Sequence, residues 1–219
     1  MKKKTLAGAF VAAALLGGAA NAATIGFEGL DAGAMQNVPL TTFTEAGFTF
    51  GLTWTGPSKG PAIFDTLCKG YKKCNDDKDL RPRNQGDNGV AGNVLILQDA
   101  GNGKPTPNDA AAAGTITFTL LDGPALLLSG ASAVDDGIFG VVAGGKTLGS
   151  ANIAKDRQTA TIAFDPFQIN RGESFTLTYS GSGGFDALQV AAVPLPAALP
   201  MLLAAMGGLG WAARRRKAA

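Results

Sequence analysis

The chain has 219 residues, 46% of them apolar and only 16% charged, and it contains no histidine; an ordinary soluble domain carries roughly 25% charged residues. Without imidazole there is no Ser-His-Asp or Cys-His catalysis, no His-ligated zinc and no histidine general base. The net charge of +2 hides an asymmetry: Lys2–Lys4 and Arg214–Lys217 sit at the two ends, and the 12 basic and 17 acidic residues between them leave the middle at −5. An acidic middle lacks the basic face that nucleic acid requires, so no nucleic-acid partner is expected.

In chain order, residues 1–22 carry the three parts of a secretory signal peptide. Lys2–Lys4 form a positive start, Leu6–Leu16 an apolar run, and Ala20-Asn21-Ala22 a small-x-small pattern that places cleavage between Ala22 and Ala23. Residues 23–193 then form a body of single-domain size. Its apolar residues alternate rather than follow a helical period. In Thr115-Ile116-Thr117-Phe118-Thr119-Leu120 the apolar side chains share one face and the threonines the other, and Ser174–Tyr179 and Thr161–Phe164 repeat the pattern. Further strands are expected at Ala23–Phe27, Gly47–Trp54, Ala62–Asp65, Asn93–Gln98, Ala125–Ser129, Ile138–Ala143 and Phe185–Ala191, punctuated by Gly, Asn, Asp and Pro. About ten short strands with polar turns predict an all-β fold, an antiparallel β-sandwich of jelly-roll type, with a closed barrel as the alternative.

Two stretches, 66–92 and 99–113, break this rhythm, and loops of such length are usually functional or disordered. The first holds the only cysteines, Cys68 and Cys74. Outside the cytoplasm such a pair forms a disulfide, while a thiolate metal site has no further Cys or His to complete it. Acidic residues gather in the same loops, and Asp77-Lys78-Asp79 sets two carboxylates on alternate residues. Hard oxygen donors are what Ca²⁺ takes, which makes Asp77 and Asp79 candidate ligands. Locally neutralised acids in a solvated loop are the plainer alternative. Glu28, after the first strand, and Asp186, at the start of the last, form a second candidate Ca²⁺ pair, the alternative being that each caps a turn through backbone N–H groups. Similar ends occur in carbohydrate-binding jelly rolls, whose terminal strands are commonly neighbours sharing a structural Ca²⁺. No other cofactor is implied. Trp54 and Tyr71 are the exposed aromatic candidates to stack on a sugar ring, although Trp54 follows an alternating strand and is equally expected in the core. A glycan hydrolase would need two carboxylates flanking a cleft, and the sequence singles out no such pair and no nucleophile motif, so no catalytic residue is assigned and no enzyme is expected.

The C-terminal segment, 194–219, follows a different logic. Ala197–Ala213 is a 17-residue uncharged run, at the short limit of a membrane helix, and Arg214, Arg215, Arg216 and Lys217 would hold its end in the cytoplasm. Before it stands Val193-Pro194-Leu195-Pro196-Ala197, whose prolines prevent a regular helix at the membrane edge. Motif, apolar run and Arg cluster together closely resemble the VPLPA variant of the PEP-CTERM sorting tails of Gram-negative bacteria. That resemblance implies an exosortase-type membrane protease as partner, cutting near the motif. It also implies an inner-membrane-anchored precursor whose body then reaches the cell surface or the extracellular space. The body itself is similar to a recurring domain of exported PEP-CTERM proteins. The likeness rests on Phe64-Asp65-Thr66, Asp77-Lys78-Asp79-Leu80, Gly92–Gln98, Pro107-Asn108-Asp109 and Gly114–Phe118 in that order. The expected function is therefore a non-enzymatic structural or adhesive component of the surface or matrix, associated with exopolysaccharide. The alternatives are a calcium-dependent carbohydrate-binding module and a carboxylate-dependent glycan hydrolase.

Overall fold

The computed structural model describes residues 22–32, 38–69, 78–99, 107–193 and 205–207. Among the described residues twelve strands follow one another: β1 (Ala22–Ile25), β2 (Thr42–Glu45), β3 (Phe48–Thr55), β4 (Ser58–Asp65), β5 (Asn93–Asp99), β6 (Gly114–Asp122), β7 (Leu126–Val134), β8 (Gly137–Ala143), β9 (Lys146–Ile153), β10 (Thr159–Ile169), β11 (Ser174–Tyr179) and β12 (Gly184–Ala192). They form two antiparallel sheets. One has the order β10-β7-β12-β5-β4, with β1 also paired to β12; the other runs β2-β3-β6-β11-β8-β9. Each sheet ends on edge strands, so the architecture is a sandwich and the closed-barrel alternative falls away.

The alternation read in the sequence is what builds the interior. On β11, Phe175, Leu177 and Tyr179 are buried while Ser174, Thr176 and Thr178 are half-exposed. Phe118 stacks on Phe175 at a centroid distance of 4.7 Å, and Phe43 and Phe50 meet Phe118 edge-on at 6.0 and 5.7 Å. On the outer face of the same strands the threonine hydroxyls pair across the ladder: Thr55 with Thr115 at 2.8 Å, Thr117 with Thr176 at 2.9 Å and Thr119 with Ser174 at 2.9 Å. Cross-strand hydroxyl pairs of this kind hold register where no packing does.

Two strands were not anticipated. β2 has four residues and is seen only through its pairing with β3. β9, Lys-Thr-Leu-Gly-Ser-Ala-Asn-Ile, is an edge strand that buries only Ile153, so its sequence carries no alternation to read. Of the two readings of Trp54, exposed sugar platform or core residue, the second is nearer: it is half-buried and packs against the core. All strands lie within Asn21–Val193, which clusters as one compact unit. Ala22 is the first residue of β1 and pairs with Ala191, so cleavage before Ala23 would remove one residue of that ladder. Val193 N–H donates to Ala125 O at 2.8 Å just past the last strand.

Several expected features lie outside the described residues: the signal segment 1–21, Tyr71, Cys74, Asp77, and the tail including Pro194–Ala197 and Arg214–Lys217. Of the expected membrane helix, 205–207 are described, as one helical turn. Among the described residues no helix is long and apolar enough to cross a membrane. Cys68 is half-buried at a left-handed φ of 57°. Its segment is fastened by Asp65, whose two carboxylate oxygens accept the N–H groups of Leu67 and Lys69 at 2.8 and 2.9 Å.

Candidate functional site: a carboxylate-lined cavity at the terminal strands

β12 changes partner along one of its edges. Gly184 and Phe185 pair with β5, whereas Leu188 to Ala191 pair with β1. Asp186 and Ala187 fall in the gap between the two ladders, where pairing with β7 is also irregular. Ala187 sits there at a φ of +47°, a conformation a non-glycine residue adopts only when its surroundings impose it. The gap opens into a cavity of about 450 Å³ lined by Glu28, Glu45 and Asp186 together with Thr24, Gly26 and Gly92.

Each carboxylate is fixed by backbone N–H groups. Glu45, at the end of β2, accepts from Gly26 and Phe27, one per oxygen, both at 3.0 Å. Glu28 accepts from Asn93 N–H at 2.9 Å. The Asn93 amide holds the turn that presents Glu28, donating to Phe27 O and Leu30 O at 2.9 Å each. Asp186 accepts from Ala91 N–H at 3.0 Å and from its neighbour Ala187. Gly92 is a glycine for a steric reason: a Cβ there would lie 2.1 Å from Glu28 Oε1, and its φ is +72°.

Asp186 is only 2% exposed. Burial pushes its carboxyl up from 3.8 to about 7. The Ala91 and Ala187 N–H groups pull the other way, and the charges of Glu28 and Glu45 add to the rise. Near neutral pH Asp186 is thus balanced between its protonated and ionised forms. Oxygen donors alone, several of them pre-positioned, suit a hard divalent cation rather than a soft one. Glu28 and Asp186, paired in the sequence reading, are brought to one cavity by the β1–β12 ladder. Glu45 was missed. Its only signal is an acidic residue closing a strand before the Ala46-Gly47 turn, and its partners are backbone groups 18 and 19 residues away.

Asp79 belongs elsewhere. It does not line this cavity; its charge instead raises Asp135. Its Oδ1 is buried without a hydrogen-bond partner among the described residues. Asp135 occupies the β7–β8 turn at φ 81° and is fully buried. Ser182 Oγ lies 2.6 Å from Asp109 Oδ2 and 2.7 Å from Asp135 Oδ2. Burial lifts the Asp135 carboxyl to about 6, against the lowering effect of the Ser182 hydroxyl, which favours its ionised form. Carboxylate oxygens of Asp135, Asp136 and Asp156 also come within 4.8 Å of one another, the last two on exposed residues.

No protein-family model matches the chain, and no curated protein does either. Among solved structures it is similar to a cyclase from Fischerella sp. TAU at 14% identity and a TM-score of 0.34, over 80% of this chain and 100% of that one. An apo-form cyclase from Fischerella sp. gives 13% identity and a TM-score of 0.33, over 80% and 98% of the two chains. A complex of the Stig cyclase Fisc from Fischerella sp. TAU with (3Z)-3-(1-methyl-2-pyrrolidinylidene)-3H-indole gives 14% identity and a TM-score of 0.29, over 80% and 86%. Similarity at that level carries no argument about activity.

Proposed function

We propose that the chain is an exported, non-enzymatic component of a bacterial surface or extracellular matrix, structural or adhesive in role and associated with exopolysaccharide. Residues 1–22 act as signal peptide. The tail 194–219 anchors the precursor in the inner membrane through 197–213, with Arg214–Lys217 on the cytoplasmic side, until an exosortase-type protease cuts near Val193–Ala197. In the body, Cys68 bridges to Cys74 as a staple of an exposed loop. The connection is of jelly-roll type, a reading supported by the way β5 to β8 and β10 to β12 alternate between the two sheets. The observation that carries the proposal is that the hydrogen-bonded sandwich runs from Ala22 to Val193. Removal of both flanking segments therefore leaves every described strand in place, save for Ala22. The test is a reporter fused behind Ala22, made with and without 194–219. Export that depends on the first segment, and a changed destination without the second, are expected. A reporter retained in the cytosol, or one indifferent to the tail, overturns the proposal.

A second reading is favoured by the cavity at the terminal strands: a calcium-dependent carbohydrate-binding module. Glu28, Glu45 and Asp186 line one cavity, and five of their six carboxylate oxygens accept backbone N–H groups; oxygen donors are what Ca²⁺ takes. Cation binding would displace the proton of Asp186, so affinity should rise through pH 7. Calorimetric titration of the full chain with CaCl₂ at pH 6 and pH 8 tests it; no heat at either pH removes this reading and leaves the first intact. Sugar release from purified exopolysaccharide, lost in Glu28→Gln or Asp186→Asn, would instead favour a carboxylate-dependent hydrolase.

A further inference from the structure

Opposite in character to the acidic clusters is a cavity of about 340 Å³ between the loop after Asp79 and the β9–β10 turn. Its walls bring together Arg83, Asn84, Asp87, Arg157 and Gln158, with Asn88 and Thr159 at the join between the two loops. On a body whose net charge is −5, two guanidinium groups on one cavity are unexpected. We infer that this cavity binds a uronic-acid residue of an acidic polysaccharide, with Arg83 and Arg157 receiving its carboxylate.

The two loops are stitched before any ligand arrives. Arg83 N–H donates to Arg157 O at 3.1 Å, and Arg157 Nε donates to Arg81 O at 2.9 Å. The Asn88 amide donates to Thr159 O and Oγ1, both at 2.9 Å, and Arg157 N–H donates to Asp135 Oδ1 at 3.3 Å. Arg157 is held at φ 65°, so its position is set by the turn rather than chosen on binding. These bonds use the backbone and Nε. Among the described residues the terminal amino groups of Arg157, the whole guanidinium of Arg83 and the amide of Gln158 make no hydrogen bond and no ion pair; the one ion pair found there is Arg171 with Asp122.

What those groups leave on offer selects the ligand. A guanidinium presents a planar fork that matches a carboxylate bidentately. Asp87, whose Oδ2 already accepts from the Asn84 amide at 3.0 Å, puts a carboxylate into the same cavity. It would repel a dianionic phosphate, but it accepts hydrogen bonds from sugar hydroxyls. The combination required is one negative charge and several hydroxyls on one small ring, which a uronic acid supplies and a neutral hexose or a phosphate does not. The volume falls at the small end of the roughly 300–1,000 Å³ found for ligand cavities, enough for one or two sugar rings. Among the described lining residues none is aromatic, which fits recognition by charge rather than by ring stacking.

This inference deepens the surface-component reading, which supplies a glycan-rich setting, but its test is independent of cellular location. Full-length chain in mild detergent is titrated calorimetrically with trigalacturonate, with galactotriose of the same length and with inorganic phosphate. Trigalacturonate should bind at least tenfold more tightly than galactotriose, and more weakly as salt is raised. Arg83→Gln, at an exposed side chain with no partner among the described residues, should melt like the parent yet lose affinity for trigalacturonate about tenfold or more, the size of a charge-assisted contact. Asp87→Asn should keep trigalacturonate binding and improve phosphate. Equal affinity for charged and neutral trisaccharides, no binding of trigalacturonate, or an unaffected Arg83→Gln overturns the inference. A failed reporter-export experiment beside intact trigalacturonate binding would sink the surface reading alone.

Discussion

Asp186→Asn isolates the electrostatics of the terminal-strand cavity. In the unfolded chain this carboxyl titrates near 3.8, and in the fold at about 7. Between those values the folded protein holds a proton that the unfolded chain has released, so raising the pH favours unfolding across that window and nowhere else. Each pH unit is worth about 1.4 kcal/mol, so this one group makes the fold roughly 4 kcal/mol less stable at pH 8 than at pH 4. Asparagine cannot ionise and removes the slope. It also turns an NH₂ toward one of the N–H groups that Asp186 now accepts from Ala91 and Ala187, which costs about 1–3 kcal/mol. The two effects predict a crossing: the variant is less stable than the parent by about 1–3 kcal/mol at pH 4 and more stable by a similar amount at pH 8. Urea unfolding at unit pH intervals reads it directly. A stability difference that stays constant from pH 4 to pH 8 would refute the reasoning, because it would mean the carboxyl titrates alike in both states.

Other consequences are as specific. Ser182→Ala should destabilise the fold by about 1–3 kcal/mol and move the Asp135 titration above about 6, since the hydroxyl favours the ionised form; carboxyl-carbon NMR against pH checks both. Phe118→Ala removes the ring packed between Phe43, Phe50 and Phe175 and should cost about 3–5 kcal/mol in chemical unfolding. Gly92→Ala drives a Cβ into Glu28, whereas Gly86→Ala has open space at a similar φ of +89°. Both should lose roughly 1–2 kcal/mol for the left-handed backbone, but only Gly92→Ala should also lose any melting shift produced by CaCl₂. A thiol count on unreduced protein should find none reactive, and reduction should lower stability by roughly 2–3 kcal/mol on the loop-entropy model; two reactive thiols would end the disulfide proposal.

The parts legible in the sequence are those that a local pattern dictates. Alternating Thr and apolar residues at 115–120 and 174–179 mark β6 and β11 because each strand shows one face to the core and one to water, and a single residue's slip would invert both. The meeting of Glu28 with Asp186 was legible through a topological expectation, that first and last strands are neighbours, and the β1–β12 ladder realises it. β9 was illegible because an edge strand that buries only its last residue has no apolar period. Glu45 was illegible because its partners, the N–H groups of Gly26 and Phe27, belong to backbone and leave no mark in residue type. The Asp109–Ser182–Asp135 contact joins three segments, Ser182 lying 73 residues from Asp109 and 47 from Asp135 in sequence, and the cavity of Arg83 and Arg157 joins two loops in the same way. Clusters of this kind exist only once the sheets have fixed which turns are adjacent.

Whether the β-sandwich is delivered outside the cell and parted from its tail is read by intact-mass analysis of the native protein from surface, periplasmic and membrane fractions. The predicted surface species begins at Ala23, ends near the Val193–Ala197 motif and carries a mass two hydrogens below the reduced value. A surface species that retains every residue through Ala219, or a chain found only in the cytosol with Met1 in place, would contradict it.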